Sequence, residues 1–509
     1  MLINFSMSFF KKIRHQFYRH PFHYFLLALL VILFFVVRTH RTQDLLRFYY
    51  DQGRDALVVH DMIHTPKPVL VGPTTGLAGI LRGPFFYYLL LPAYLVGQGS
   101  PVVASIWLQL LNTVGLIFIY LSAKELFSRR AGLISVFIFA LSNELVSLSR
   151  WLSNPSPIFL TVPIMLYGLI QIIKDQKRHL WWPIVALMLG LNLQLEIASE
   201  FFFIVALGLF LILNRQYWPK TKTLLISVGT FLLTLFPQVA FDFRHDHLIF
   251  NAIKSHFANP GEPSFVFDQQ KLVARWHFFT DSFSSILIPQ VYWPTIVAFV
   301  LAFFLILTSK KFRRPQVKLL YYLLFIPLLI LSFYQGNQGN FYSYYLIGLY
   351  PLAVVLLSGV LNKFFLMPIL FAFPWVFLIL FGQANYTLVD NFLAAGCDGP
   401  EHITMGNQLQ AIDWIYQQAD GRDFNVDVYV PPVIPYSYDY LFLWYGQKEY
   451  GYQPVDDQIE LLYTLSEVDT EIPGRLQAWL DRQAGIGEVK KMERFGGILV
   501  EERTRIKYD

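Results

Sequence analysis

Run after run of about twenty apolar residues leaves a chain few ways to fold, because in lipid only a helix satisfies every backbone N–H and C=O within one segment. Eleven such runs stand at 21–37, 101–123, 131–148, 156–173, 180–196, 199–213, 223–241, 283–307, 318–334, 341–359 and 362–381. Composition agrees: 15% of the 509 residues are charged, against about a quarter in soluble domains. The single cysteine, Cys397, excludes an intrachain disulfide framework. The expected fold is an all-α polytopic membrane protein with about eleven transmembrane helices.

A further apolar stretch, 83–97, is shorter and carries Pro84 and Pro92, so it reads as a helix lying at the membrane interface. Charge then orients the chain. Residues 1–381 hold 30 Lys and Arg against 14 Asp and Glu, whereas 382–509 hold 10 against 21. With a cytoplasmic N-terminus, the basic head (Lys11, Lys12, Arg14, Arg19) and the connector "SKKFRRPQVK" both fall on the cytoplasmic side, as the positive-inside rule requires. Treating 83–97 as a span would place that connector outside. The basic excess is therefore a topology signal, and no nucleic-acid partner is expected.

Two bodies follow: a transmembrane domain, 1–381, with a long outer loop at 38–100, and a soluble extracytoplasmic α+β domain, 382–509. In the second, "AIDWIYQQADGRDFNVDVYVPP" has a helical period, a turn and an alternating strand, and "SYDYLFLWYG" reads as helix or strand. Later come "QIELLYTL", the helix "IPGRLQAWLDRQ" and the strands "GEVKKMERF" and "GILVEERTRI". Asn385, in "NYT", reads as an outer glycosylation sequon.

The outer segments carry the chemistry. In "RFYYDQGRDALVVHDMIH", Asp51 and Asp55 stand four residues apart, on one face of a helix, beside Arg54. One carboxylate can take a proton from a hydroxyl while its neighbour tunes or orients it; a solvated amphipathic helix is the plainer reading. Arg82 precedes a Gly-Pro turn and an aromatic-rich helix, where a guanidinium fork suits a phosphate or merely anchors in the headgroups.

Arg150, Trp151 and Asn154 end the third span, and Glu196 and Glu200 flank a tight outer turn. Asp242, Arg244, His245 and His247 follow the seventh span, and Tyr342, Tyr344 and Tyr345 stand at the start of the tenth. Asp242 with the two histidines is a possible divalent-metal site, though Arg244 as a phosphate partner fits better; no other cofactor is implied. Nucleotide-binding loops, an HExxH pair and a GxSxG elbow are missing, so bond formation must draw on an activated substrate.

The stretches "YYDQGRDALVVHDM", "LRGPFFYYLLLPAYLVG", "IWLQLLNTVGLIFIYLSAKELFSRRAGLISVFIFALS", "SRWLSNPSPIF" and "FDFRHDH" together resemble membrane glycosyltransferases of the GT-C superfamily. The similar branch includes protein O-mannosyltransferases and the aminoarabinose transferase of lipid A, the glycosyltransferase family 39-like group. The resemblance implies an inverting transfer of sugar from a polyprenyl-phosphate-linked donor to a hydroxyl of a glycan, lipid or protein acceptor, at the outer face of the cell membrane.

On the same resemblance, Asp51 is the base, with Asp55 orienting it or the acceptor, and Arg82 and Arg150 match arginines on the donor side; by their positions at outer helix ends, Arg244 joins them as a donor-phosphate partner, and Glu196, Glu200, Asp242, His245 and Tyr345 are further substrate-site candidates. The sequence departs from the family pattern at Asn154 and Gln52, where relatives carry acids. A polyprenyl-linked glycan ligase or polymerase is the alternative enzyme. A lipid-linked sugar transporter is the alternative of another class, but it would be expected to show corresponding interrupted helices at mid-membrane.

Overall fold

The computed structural model describes residues 18–506 apart from 66, 259–264, 266, 335–339, 396–398 and 432–433. Lys11, Lys12, Arg14 and Cys397 lie outside the described residues. In chain order the helices are α1 Pro21–Thr39, α2 Tyr50–His64, α3 Phe85–Val96, α4 Pro101–Leu126, α5 Arg129–Leu141, α6 Asn143–Arg150, α7 Ile158–Ile173, α8 Arg178–Leu195, α9 Glu200–Leu213, α10 Thr221–Arg244, α11 Leu248–Ala258, α12 Gln269–Ser285, α13 Trp293–Thr308, α14 Pro315–Phe333, α15 Leu349–Phe364 and α16 Ala372–Ala394.

Each apolar run is helical, but several boundaries move. Among the described residues five helical segments are long and apolar enough to cross a membrane alone, and the α5–α6 pair makes a sixth if its 65° bend is counted as one span. Helices α7, α9, α13 and α15 are apolar but shorter. The run at 283–307 divides because its first residues finish the amphipathic α12, and the run at 341–359 begins with a tight turn at Ser343–Leu346. Helix α3, at 12 residues, rises only about 18 Å, and it packs between α2, α4 and α8.

The bend between α5 and α6 is built by side chains far apart in sequence. Ser142 caps α6 by accepting the Leu145 N–H, and Asn143 N–H donates to Asn385 Oδ1 at 2.8 Å. The carbonyls that the bend releases, Phe139 and Ala140, accept from the Arg38 guanidinium at 2.8 and 3.0 Å. Arg38 is fully buried, lies 3.8 Å from the Phe34 ring centroid and donates to Ser149. A buried charge survives only when its donors are matched, and here carbonyl oxygens do most of the matching.

Asn385 overturns the sequon reading. It is buried within α16, and its amide also donates to the Leu287 and Phe381 carbonyls, so it latches the bend and is closed to modification.

Beyond α16 come α17 Met405–Ala419, β1 Asn425–Tyr429, α18 Tyr436–Leu441, β2 Leu461–Glu467, α19 Pro473–Ala484, β3 Gly487–Phe495 and β4 Ile498–Arg505. The strands form one sheet in the order β1-β2-β4-β3, with β1 and β2 parallel and the other neighbours antiparallel. "SYDYLFLWYG" is helical: α18 continues through a π-helical turn, Phe442–Gly446.

This C-terminal unit grips the connector between α1 and α2. Met405 N–H donates to Leu46 O, the Gln408 amide to Phe48 O, and the Tyr49 hydroxyl to Ile403 O. It also holds the turn before α4, through Tyr440 to Gly99 O and Trp444 to Gln98 O.

Candidate active site

Helix α2 starts where Gln52 turns back to accept the Tyr49 N–H at 3.1 Å, which gives the residue a capping role where relatives carry an acid. One turn later Arg54 bridges both carboxylates. Its Nη1 reaches Asp51 at 2.7 Å, and its Nε and Nη2 reach one oxygen of Asp55 at 2.9 and 2.7 Å.

The two acids differ in environment. The Asp51 side chain is 46% exposed and that of Asp55 2%, so only Asp51 is open to an incoming group. Burial pushes the Asp55 carboxyl up to about 6 against the pull of Arg54, and its second oxygen has no hydrogen-bond partner. Tyr87 of α3 stands beside the Arg54–Asp55 pair.

Gly53 lets α2 sit this deep. A Cβ there would lie 2.3 Å from the Tyr436 carbonyl carbon and the Ser437 nitrogen, so the helix meets the backbone of the C-terminal unit with no room for a side chain.

Arg82 heads a second cluster five residues before Tyr87. It pairs with Glu196 at 2.8 Å; the two side chains are 12% and 1% exposed, and the Arg82 Nε is buried without a partner. The other Glu196 oxygen accepts the N–H groups of Ile197 and Ala198. Gln194 accepts the Phe85 N–H and donates to Thr234 O, and a Cβ on Gly83 would collide with it at 2.3 Å. The turn carrying Arg82 is thus seated on α8 and α10.

Glu200 is buried, with one oxygen on Ser199 and the other unpartnered. Tyr345 is buried beside Tyr344. Tyr344 in turn meets Trp151 edge-on at 5.6 Å and lies close to Glu196 and Arg82. A cavity of about 260 Å³ opens here, lined by Arg47, Tyr49, Arg150, Trp151 and Tyr344 among others.

The remaining residues singled out by sequence sit differently. Arg150 borders the cavity, yet its Nη1 is spent on the carbonyls of Val37 and His40, and its guanidinium lies 5.2 Å from the Phe392 ring centroid. Asn154 donates to Leu195 O, a task an acid could not perform. Asp242 caps α11 through the N–H groups of Ile249 and Phe250. His245 stacks on Phe241 of its own helix, and Arg244 is exposed. The structure does not bring Arg244, Asp242 or His245 to the cavity wall. Among the described residues no group of three or more His, Cys, Asp and Glu could hold a metal ion.

Residues 82–241 match the family model described as dolichyl-phosphate-mannose-protein mannosyltransferase. The fold is similar to that of ArnT from Cupriavidus metallidurans bound to undecaprenyl phosphate, with TM-score 0.61 and 11% identity over 95% of this chain and 98% of that one. It is also similar to the Archaeoglobus fulgidus oligosaccharyltransferase in complex with Zn and sulfate, with TM-score 0.51 and 11% identity over 94% and 73%. No curated protein matches the sequence.

The chain therefore has a GT-C-type fold. The family match begins at Arg82 and stops one residue before Asp242, so it covers the Arg82–Glu196 cluster and leaves out α2 and the C-terminal unit.

Three features of the candidate site escape a reading of the sequence. Arg54 was visible beside the carboxylates, but its bridging of both was not. Arg47 and Tyr87 carried no signal, because each becomes a neighbour of the site only through packing.

Proposed function

We propose that this GT-C protein transfers a sugar from a polyprenyl-phosphate donor to an acceptor hydroxyl at the extracytoplasmic face, with inversion at the anomeric carbon. The observation that carries this reading is a pair of clusters joined by the short segment from Arg82 to Tyr87: a carboxylate pair bridged by Arg54 with Tyr87 beside it, and an arginine paired with a buried glutamate at the head of the membrane helices.

Asp51 is exposed and oriented by Arg54, so it takes the hydroxyl proton as the acceptor oxygen bonds to the anomeric carbon and the bond to phosphate oxygen breaks. Asp55, buried behind it, holds Arg54 in place. Arg82 receives the phosphate: the donor competes with Glu196 for the fork, and the unpartnered Nε supplies a further donor. Charge grows on the leaving phosphate in the transition state, so a pre-aimed guanidinium helps most there.

The polyprenyl tail has a place as well. An apolar groove of about 510 Å³, lined by residues such as Trp182, Leu189, Leu207, Leu211 and Phe231, runs between α8, α9 and α10, and the other end of α8 carries Glu196. ArnT, similar in fold, is known with undecaprenyl phosphate bound.

The arrangement of charge along the chain supports two bodies, a transmembrane domain and an extracytoplasmic α+β domain, with the N-terminus cytoplasmic. Incubating purified protein with a panel of labelled polyprenyl-phosphate sugars tests the reading. Release of free polyprenyl phosphate by the wild type and its loss in Asp51→Asn are expected; no release from any donor would overturn it.

A further inference from the structure

A second cavity, of about 330 Å³, opens at the other end of α2, walled by His60, His64, Tyr94, Tyr440, Trp444 and Lys448 among others. We infer that it binds an uncharged saccharide ring and seats the acceptor, which makes the acceptor a glycan. The inference rests on the transferase reading above and deepens it.

Polar groups here await a ligand. Tyr94 is 1% exposed and its hydroxyl has no hydrogen-bond partner. His60 Nδ1 is buried, with only a 3.7 Å contact to Asp61. A buried polar group left unpaired is costly, and both groups belong to residues that line this one cavity, which marks it as a place for hydroxyl groups.

The wall opposite is aromatic and rigid. Tyr440 and Trp444 lie nearly parallel, at 6.3 Å between centroids and 15° between planes, and their polar atoms are fixed to the Gly99 and Gln98 carbonyls. Such a wall suits the apolar C–H face of a sugar, whose edge hydroxyls can then reach Tyr94 and His60. The π-helical turn Phe442–Gly446 brings Leu443 and Trp444 to the wall; π turns are rare inside helices and concentrate at functional sites.

Charge separates this cavity from the first. His60 lies by Asp61, and Lys448 pairs with Glu449 at 3.3 Å, whereas the first cavity is lined by Arg47 and Arg150. A phosphate would find its cations already matched, which favours an uncharged polyol. The volume is at the lower end of the range for small-ligand sites, enough for a ring and too small for a folded segment. His60 is five residues beyond Asp55, a helix rise of about 7.5 Å, so a glycan seated here can reach the carboxylates with its next unit.

The test is saturation-transfer NMR on the full chain in nanodiscs, with a panel of free mono- to tetrasaccharides of hexoses, pentoses and amino sugars. At least one is expected to bind, and Tyr94→Phe and Trp444→Ala should each weaken it at least tenfold. Tyr94→Phe keeps the ring and its packing, so its effect cannot come from misfolding. Failure of the wild type to bind any saccharide, or binding indifferent to both substitutions, would overturn the inference. Cleavage of the polyprenyl-phosphate donor by water is measured in parallel on the wild type. Its absence in the wild type would sink the transferase reading while leaving the binding result to stand.

Discussion

Replacing Gly53 with alanine tests whether the C-terminal unit sets the position of the carboxylates. The new Cβ would stand 2.3 Å from the Ser437 nitrogen and the Tyr436 carbonyl carbon and 2.4 Å from the Tyr436 oxygen. Ordinary contact begins near 3.4 Å, so α2 and the start of α18 must separate by roughly 1 Å, since backbone cannot rotate away as a side chain would. Overpacking of this kind typically costs about 1–3 kcal/mol, against a helix-propensity gain of about 1 kcal/mol for Gly to Ala, so the protein should fold with little net loss. Activity is another matter, because a displacement of about 1 Å at a reacting group can lower the rate on the order of 100-fold. The assay is release of polyprenyl phosphate at saturating donor, normalised to folded protein. Gly229→Ala on α10, where nothing lies within 4 Å, serves as the control and should turn over normally. Wild-type kcat in Gly53→Ala would refute the reasoning, since it would show that the carboxylates do not depend on this contact.

Asp51→Asn should lower kcat by about 10²–10⁴ and Asp55→Asn by less, in the same release assay; the reverse order would exchange their roles. Arg82→Lys keeps a cation opposite Glu196 but loses the fork, so it should retain partial activity with a reduced kcat. The double variant Arg82→Ala/Glu196→Gln, which leaves no unpaired buried charge, should retain little; unchanged kinetics would remove Arg82 from the site. Burial pushes the Glu467 carboxyl up to about 7, against hydrogen bonds from Tyr438 and Gln408. The contribution of a raised carboxyl is fully present below its ordinary value of 4.5 and is lost as pH rises from there through about 7, a loss of up to about 3 kcal/mol. Thermal unfolding should therefore shift downward between pH 4.5 and 7 and level off above it, and Glu467→Gln, which mimics the protonated form, should flatten that dependence.

Much of the fold was legible in the chain itself. Apolar runs became helices because no other backbone geometry closes its own hydrogen bonds in lipid, and three strands of the C-terminal unit stand where "FNVDVYV" and the last two patterns place them, while "QIELLYTL", left unassigned in sequence, forms most of the fourth. Local order also made Asp51, Arg54 and Asp55 neighbours, since a helix repeats every 3.6 residues.

What tertiary structure alone decided was partnership. Asn385 looked like a sequon and is a buried latch on Asn143. The "DFRHDH" cluster looked like a site and includes a helix cap and surface groups. Arg38, unremarked in sequence, holds the bend in the third span. Gly53, unremarked in sequence, is a contact point between two units. Periodicity reaches only a few residues along the chain. The desolvation and hydrogen-bond pairing that assign each polar group its task depend on atoms that folding brings from hundreds of residues away.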